Sequence, residues 1–203
     1  MQRLSRALIP FIHAKNDLLF THLNQHNMKK LLVFFLLINS INTRAQDSKA
    51  PTIKSILLAQ LHTTHDVKDW FVPANVAVAG LTAEQAKWTD GSGNHSVGQL
   101  ANHLIFWNLQ QLHQFKKLPK PLFNGNNDET FNSFDSKNWE ATVKRLDSVL
   151  TAIEKEVEAS DDAKLQSWYD ALSHISTHNA YHIGQMVFVR KLQGAWEPEK
   201  GVK

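Results

Sequence analysis

The chain of 203 residues contains no cysteine. That absence excludes disulfides, a lipid anchor on cysteine, a thiolate nucleophile and any cysteine-ligated zinc site. The fold must be held by packing and by any metal it binds. Strand-type alternation is scarce beyond Pro51, whereas 3.6-residue periodicity is common. There is no internal repeat and no low-complexity tract. A membrane span needs roughly 20 apolar residues, and the apolar run from Leu31 to Ile41 falls well short of it.

A basic surface is also lacking once the N-terminal segment is set apart. Six of the 22 Lys/Arg residues but only one of the 19 Asp/Glu residues lie in positions 1–45, leaving 16 basic against 18 acidic residues, a net of −2. The basic character of the whole chain therefore belongs to its leader. With no basic patch interleaved with aromatics, nucleic acid is not an expected partner.

The leader itself reads as a targeting segment. Lys29-Lys30 precedes the short apolar run, and Asn42-Thr43-Arg44-Ala45 supplies small residues three and one before a cut after Ala45. The sequence predicts a signal peptide over residues 28–45 and export to the periplasm or beyond, with no stable membrane insertion after cleavage. An uncleaved anchor is the alternative. Met28 stands directly before Lys29-Lys30, so residues 1–27 read as an upstream extension and residues 46–203 as one domain.

Beyond the leader the pattern predicts four main helices. A first begins at Ile53 with Ile56, Leu57 and Leu61 on one side and breaks around residues 63–69. Pro73 suits the first turn of a resumed helix reaching Ala79, with Gly80 beyond its end. A second opens at Ser96, where Gln99 completes a capping box, and carries Leu100, His103, Leu104 and Trp107 on one stripe as far as Phe115. A long polar connection, residues 123–138, follows Pro119 and Pro121. Trp139, Val143, Leu146, Leu150, Ile153 and Val157 alternate by four and three through a third helix. Ser160-Asp161-Asp162 breaks it. The last helix is expected from about Leu165 or Tyr169 to Leu192, with Gly194 as a stop. An all-α, four-helix bundle with a long crossover between its second and third helices is the expected fold.

Histidines carry the chemistry. His178 and His182 are four residues apart and so share one helix face, with Ile175 and Val189 on the same stripe. Two such imidazoles can grip one transition metal while a facing helix supplies a third, and His103 is placed to do so. A lone buried histidine is usually a hydrogen-bonded core residue. Three on inward stripes are harder to explain that way, because each buried imidazole costs about 1–3 kcal/mol without a partner. The zinc-protease pattern needs Glu after the first histidine; here Asn179 follows His178, so protease chemistry is disfavoured. His174 reads as a substitute ligand, an outer neighbour or a surface residue. His62 and His65 could reach the mouth of the site, and His95 and His113 read as loop and surface residues.

Ser96-Val-Gly-Gln-Leu-Ala-Asn-His103-Leu-Ile-Phe-Trp107 resembles the second-helix motif of the DinB/YfiT-like superfamily. His178-Asn-Ala-Tyr-His182-Ile-Gly-Gln185 resembles its last-helix motif, and Arg190-Lys-Leu-Gln-Gly-Ala-Trp196 its tail. Leu81-Thr-Ala-Glu-Gln-Ala86 with Trp88 is similar to the link between its first two helices. The resemblance spans roughly residues 53–196. It implies a bundle with up-up-down-down connectivity, a divalent metal, often nickel or zinc, and dimerisation into a homodimer. His103, His178 and His182 match its three ligands. Characterised relatives include thiol S-transferases and a thiol-dependent isomerase acting on small molecules, although those use intracellular thiols and this chain reads as exported.

Two functions follow as expectations. One is a metal-dependent hydrolase or transferase on a small-molecule substrate, with Asn102, Asn179, Tyr181 and Gln185 as candidates to orient the imidazoles and Trp107 as a pocket wall. The other is a non-catalytic metal-stabilised or metal-sequestering domain, favoured by the lack of any carboxylate or hydroxyl with an evident acid–base role.

Overall fold

A computed structural model describes residues 50–201. The expected extension 1–27 and signal peptide 28–45 lie outside the described residues. Among the described residues there are seven α-helices and no strand: α1 (Ile53–His65), α2 (Ala74–Val78), α3 (Ala83–Lys87), α4 (Val97–Phe115), α5 (Glu129–Asn132), α6 (Trp139–Ala159) and α7 (Asp162–Leu192). No described helix is long and apolar enough to cross a membrane.

Local chemistry sets the helix starts. Thr52, Thr82 and Ser96 each accept a hydrogen bond from the backbone N–H three residues on, and the side chain at that position accepts one from the cap residue's own N–H. Each such cap contributes about 1 kcal/mol. The box at Thr82 and Gln85 builds α3, a short helix within the segment that the sequence pattern alone shows as a link. Asp161 accepts from Lys164 N at 2.8 Å and so starts α7 at Asp162, three residues or more before the expected point. The acidic break is the cap of the next helix. Pro73 stands at the N-cap of α2 and not in its first turn. Gly80, just past α2, has φ +74°, a left-handed turn that glycine enters without strain.

The four long helices, α1, α4, α6 and α7, pack on one another: α1 and α4 each lie against both α6 and α7. Their shared core includes Leu57, Leu61, Leu100, Leu104, Leu146, Ile153, Leu165, Ile183 and Met186, all at most 3% exposed. Burying each large side chain contributes about 1.5–3 kcal/mol. Trp139 Nε1 donates to Leu81 O at 2.9 Å, tying the start of α6 to the α2–α3 link.

Asn108, Asn179 and Arg190 are polar groups inside this core that find partners. Asn108 on α4 and Asn179 on α7 exchange two amide hydrogen bonds, at 2.7 and 3.2 Å, with neither residue exposed. Arg190, 1% exposed, spreads its guanidinium over the carbonyls of Val76, Ala77 and Ala195, closing the end of α2 and the chain after α7. Burial lowers its pKa, opposed by nearby Glu197.

The crossover of residues 116–138 folds back over α4. Asn102 Nδ2 donates to Thr130 O at 2.7 Å and to Ser133 Oγ at 2.8 Å. The ring of Phe134 lies over Gly98 so closely that a Cβ there would fall 2.1 Å from its Cζ. A glycine at that position is therefore what admits the crossover. These two contacts lay α5 across the face of α4 that carries His103.

Candidate functional site

His103 projects from the middle of α4, and His178 and His182 from successive turns of α7. His103 and His182 are buried and His178 half-buried. Their Nε2 atoms converge. His178 Nε2 lies 3.1 Å from His103 Nε2 and 3.1 Å from His182 Nε2. Three nitrogens bound to one tetrahedral zinc at 2.0–2.1 Å would stand roughly 3.3 Å apart, close to the separations seen here.

The opposite ring nitrogens explain why Nε2 points inward. Thr130 Oγ1 gives its single proton to Asn127 O at 2.6 Å, so toward His103 it can only accept, and His103 Nδ1–H donates to it at 2.5 Å. His182 Nδ1–H donates to Gln185 Oε1 at 2.6 Å. Both Nε2 atoms are thus left with a lone pair aimed at the same point. The one N–H that His178 could offer there satisfies only one of them. A cation would satisfy all three, so the donor set fits a divalent metal. His178 Nδ1 is the buried side-chain atom without a partner among the described residues.

Electrostatics favour the same state. Burial, then the neighbouring His182, His178 and His95, push the pKa of His103 down to about 3. Burial and His182 push His178 down to about 4. Burial also lowers His182, although the bond to Gln185 opposes it. All three rings are neutral at pH 7, the form that binds a metal.

The site opens into a cavity of about 610 Å³ walled by Trp107, Phe131, Ala171 and Ile175, with Gln111 and Asn127 at its polar edge. Phe131 stacks on His103, with centroids 3.9 Å apart and an 8° tilt, and His95 stacks on the other face of Phe131 at 3.8 Å and 1°. His95 is therefore part of an aromatic pile behind the site and not a simple loop residue. Trp107 takes its expected place as a wall and donates from Nε1 to Asn127 Oδ1 at 3.2 Å.

Of the four residues expected to orient the imidazoles, Gln185 does so directly. Asn102 acts through the crossover, which carries Thr130. Asn179 pairs with Asn108 instead, and Tyr181, 64% exposed, only sets its ring edge against His182. His174 is exposed near Asp170, 3.5 Å away, at the rim of the cavity. His62 and His65 do not reach the mouth. They meet Glu154 on α6, at 3.3 and 2.8 Å. Thr130, Phe131 and Asn127 were missed in the sequence because a short polar segment has no periodicity to read. The pair Phe131 and Phe134, three apart in an otherwise polar run, was the available signal.

A family model described as the DinB superfamily matches residues 74–186, a span holding all three histidines. The chain belongs to the DinB superfamily. No curated protein and no solved structure matches it. Within this DinB-like chain the two histidine motifs, on α4 and α7, stand where the sequence pattern placed them.

Proposed function

We propose that this DinB-like protein is exported and binds one divalent cation, nickel or zinc, through His103, His178 and His182, as a metal-dependent hydrolase or transferase for a small molecule. The four long helices then form an up-up-down-down four-helix bundle around the site. The reading rests on one observation above all: three Nε2 atoms from two helices meet within 3.1 Å steps, two of them turned inward by hydrogen bonds at Nδ1. When bound, such an ion supplies Lewis-acid activation of a nucleophile or of the substrate's polar group.

The chain's own residues do the rest. Thr130 and Gln185 lock the tautomers and orientation of two rings. Trp107, Phe131 and Ile175 exclude water from one side of the cavity and suit an apolar or aromatic substituent, while Asn127 and Gln111 offer amide groups to a polar end. A second reading, a non-catalytic metal-binding domain, is favoured by one feature: neither a carboxylate nor a hydroxyl lines the cavity. The two separate in assays of zinc- or nickel-loaded protein for aryl-ester hydrolysis and for thiol addition to an electrophilic aryl halide. The enzyme reading expects turnover that His103→Ala abolishes. Turnover that survives in His103→Ala contradicts it; no turnover, with metal still bound, favours the binding domain.

A further inference from the structure

A second set of donors lies away from the three histidines, where the end of α1 meets α6. Asp66 caps the end of α1, its N–H donating to His62 O at 3.0 Å, so both residues stand at the same helix end. Glu154 reaches them from α6, and one donor atom from each of the three lies within 4.8 Å of the others. None of these residues lines the DinB pocket, and His62 and Asp66 fall outside the span matched to the family.

The surroundings of Glu154 prepare it for a ligand. Its side chain is 11% exposed, and a buried carboxylate needs compensation. His65 supplies part of it, with Nδ1 at 2.8 Å from Glu154 Oε1. The other nitrogen of His65 faces Asp147 Oδ1 at 3.0 Å, and Asn75 Nδ2 donates to that same oxygen at 2.7 Å. Each nitrogen of the His65 ring is thus engaged by a carboxylate oxygen. The ring therefore holds Glu154 in place without competing as a ligand.

Glu154 Oε2 and the Asp66 carboxylate accept no hydrogen bond among the described residues. Asp66 is exposed, so its side chain is free to close the remaining distance.

We propose that His62, Asp66 and Glu154 form a second divalent-cation site, independent of the three histidines, that clamps the end of α1 to α6. One imidazole with two carboxylates is a harder donor set than three imidazoles and takes zinc or manganese. Solvent completes the shell, because His62 and Asp66 face water. The site ties down α1 where the chain turns toward Trp70 and Phe71.

Titration of the metal-free full chain with zinc alone, followed by calorimetry, tests this. Wild type is expected to bind two equivalents. His178→Ala loses one and keeps the other, and adding Asp66→Asn or His62→Gln to it weakens the remaining site at least tenfold. Both substitutions are at solvent-facing positions and leave the His65–Glu154 pair in place; an unchanged melting temperature of the metal-free variants confirms the fold. The proposal is overturned if the remaining equivalent binds as tightly in those double variants, or if His178→Ala binds no zinc. A wild type that loses its zinc through Asp66→Asn but not through His178→Ala would uphold this site and sink the three-histidine one.

Discussion

Lowering the pH should destabilise the metal-free protein well before its carboxylates protonate. His103 and His178 have pKa values of about 3 and about 4, lowered first by burial, against about 6.5 in an unfolded chain. Between those limits the unfolded state binds protons and the folded state does not. Stability is therefore fully present above pH 6.5 and lost as pH falls. From pH 6.5 to 5 each ring forgoes 1.5 pH units, about 2 kcal/mol. The open mouth of the cavity wets His178, and solvent screening cuts the pair's joint loss to about 2–3 kcal/mol. For a domain of this size that is roughly 5–10 °C in melting temperature. His65 works in the opposite sense. Burial alone would lower its pKa, but hydrogen bonds to Glu154 and Asp147 leave it raised, so its contribution is complete below pH 6.5 and is lost only as pH rises through its folded value. It does not mask the window. Calorimetry from pH 7 to 5 on metal-free wild type and on the triple variant His103→Gln, His178→Gln, His182→Gln is the assay. The wild-type curve should fall and the variant's stay nearly level. Parallel curves would refute the claim that these rings are held neutral.

Thr130→Val removes the acceptor of His103 Nδ1–H while preserving shape; zinc affinity should drop about 10–100-fold, read by competition with a chelator, and an unchanged affinity would show that Thr130 does not set the tautomer. Asn108→Leu strands the buried amide of Asn179 and should cost about 1–3 kcal/mol in urea denaturation. The double change with Asn179→Leu should cost less than the sum of the two single changes. Gly98→Ala gains about 1 kcal/mol of helix propensity but drives a methyl into Phe134, so a net loss of about 1–2 kcal/mol is expected. A stabilised variant would mean the crossover does not press on α4.

Much of the helical order was legible because helix signals are local. Ser96 with Gln99 marked the start of α4, and the four–three alternation of Trp139 to Val157 marked α6. Asp161 misled because the same residue that ends one helix caps the next, and only the backbone direction tells which. His178 and His182 stood out through their spacing, and His103 through its place on the apolar stripe of its helix and its match to the family motif. Their supports divide by distance in sequence: Gln185, three residues from His182, could be inferred from helix geometry. Thr130, 27 residues from His103, could not, because its position depends on how the crossover lies over Gly98. Asn179 sits beside His178 in sequence yet turns to Asn108, an outcome decided by the opposite helix. His62 and His65 were visible as candidates, but their true partners, Glu154 and Asp147, lie on a helix more than 80 residues away.

Zinc K-edge absorption of the full chain carrying Asp66→Asn, which disables the second site, and loaded with a single equivalent reads the ligands directly. The account predicts three imidazole nitrogens at about 2.0–2.1 Å with one further light donor, and loss of this three-imidazole pattern in His178→Ala. A shell with one imidazole or none, dominated by oxygen and identical in His178→Ala, would place the ion elsewhere and contradict the three-histidine centre.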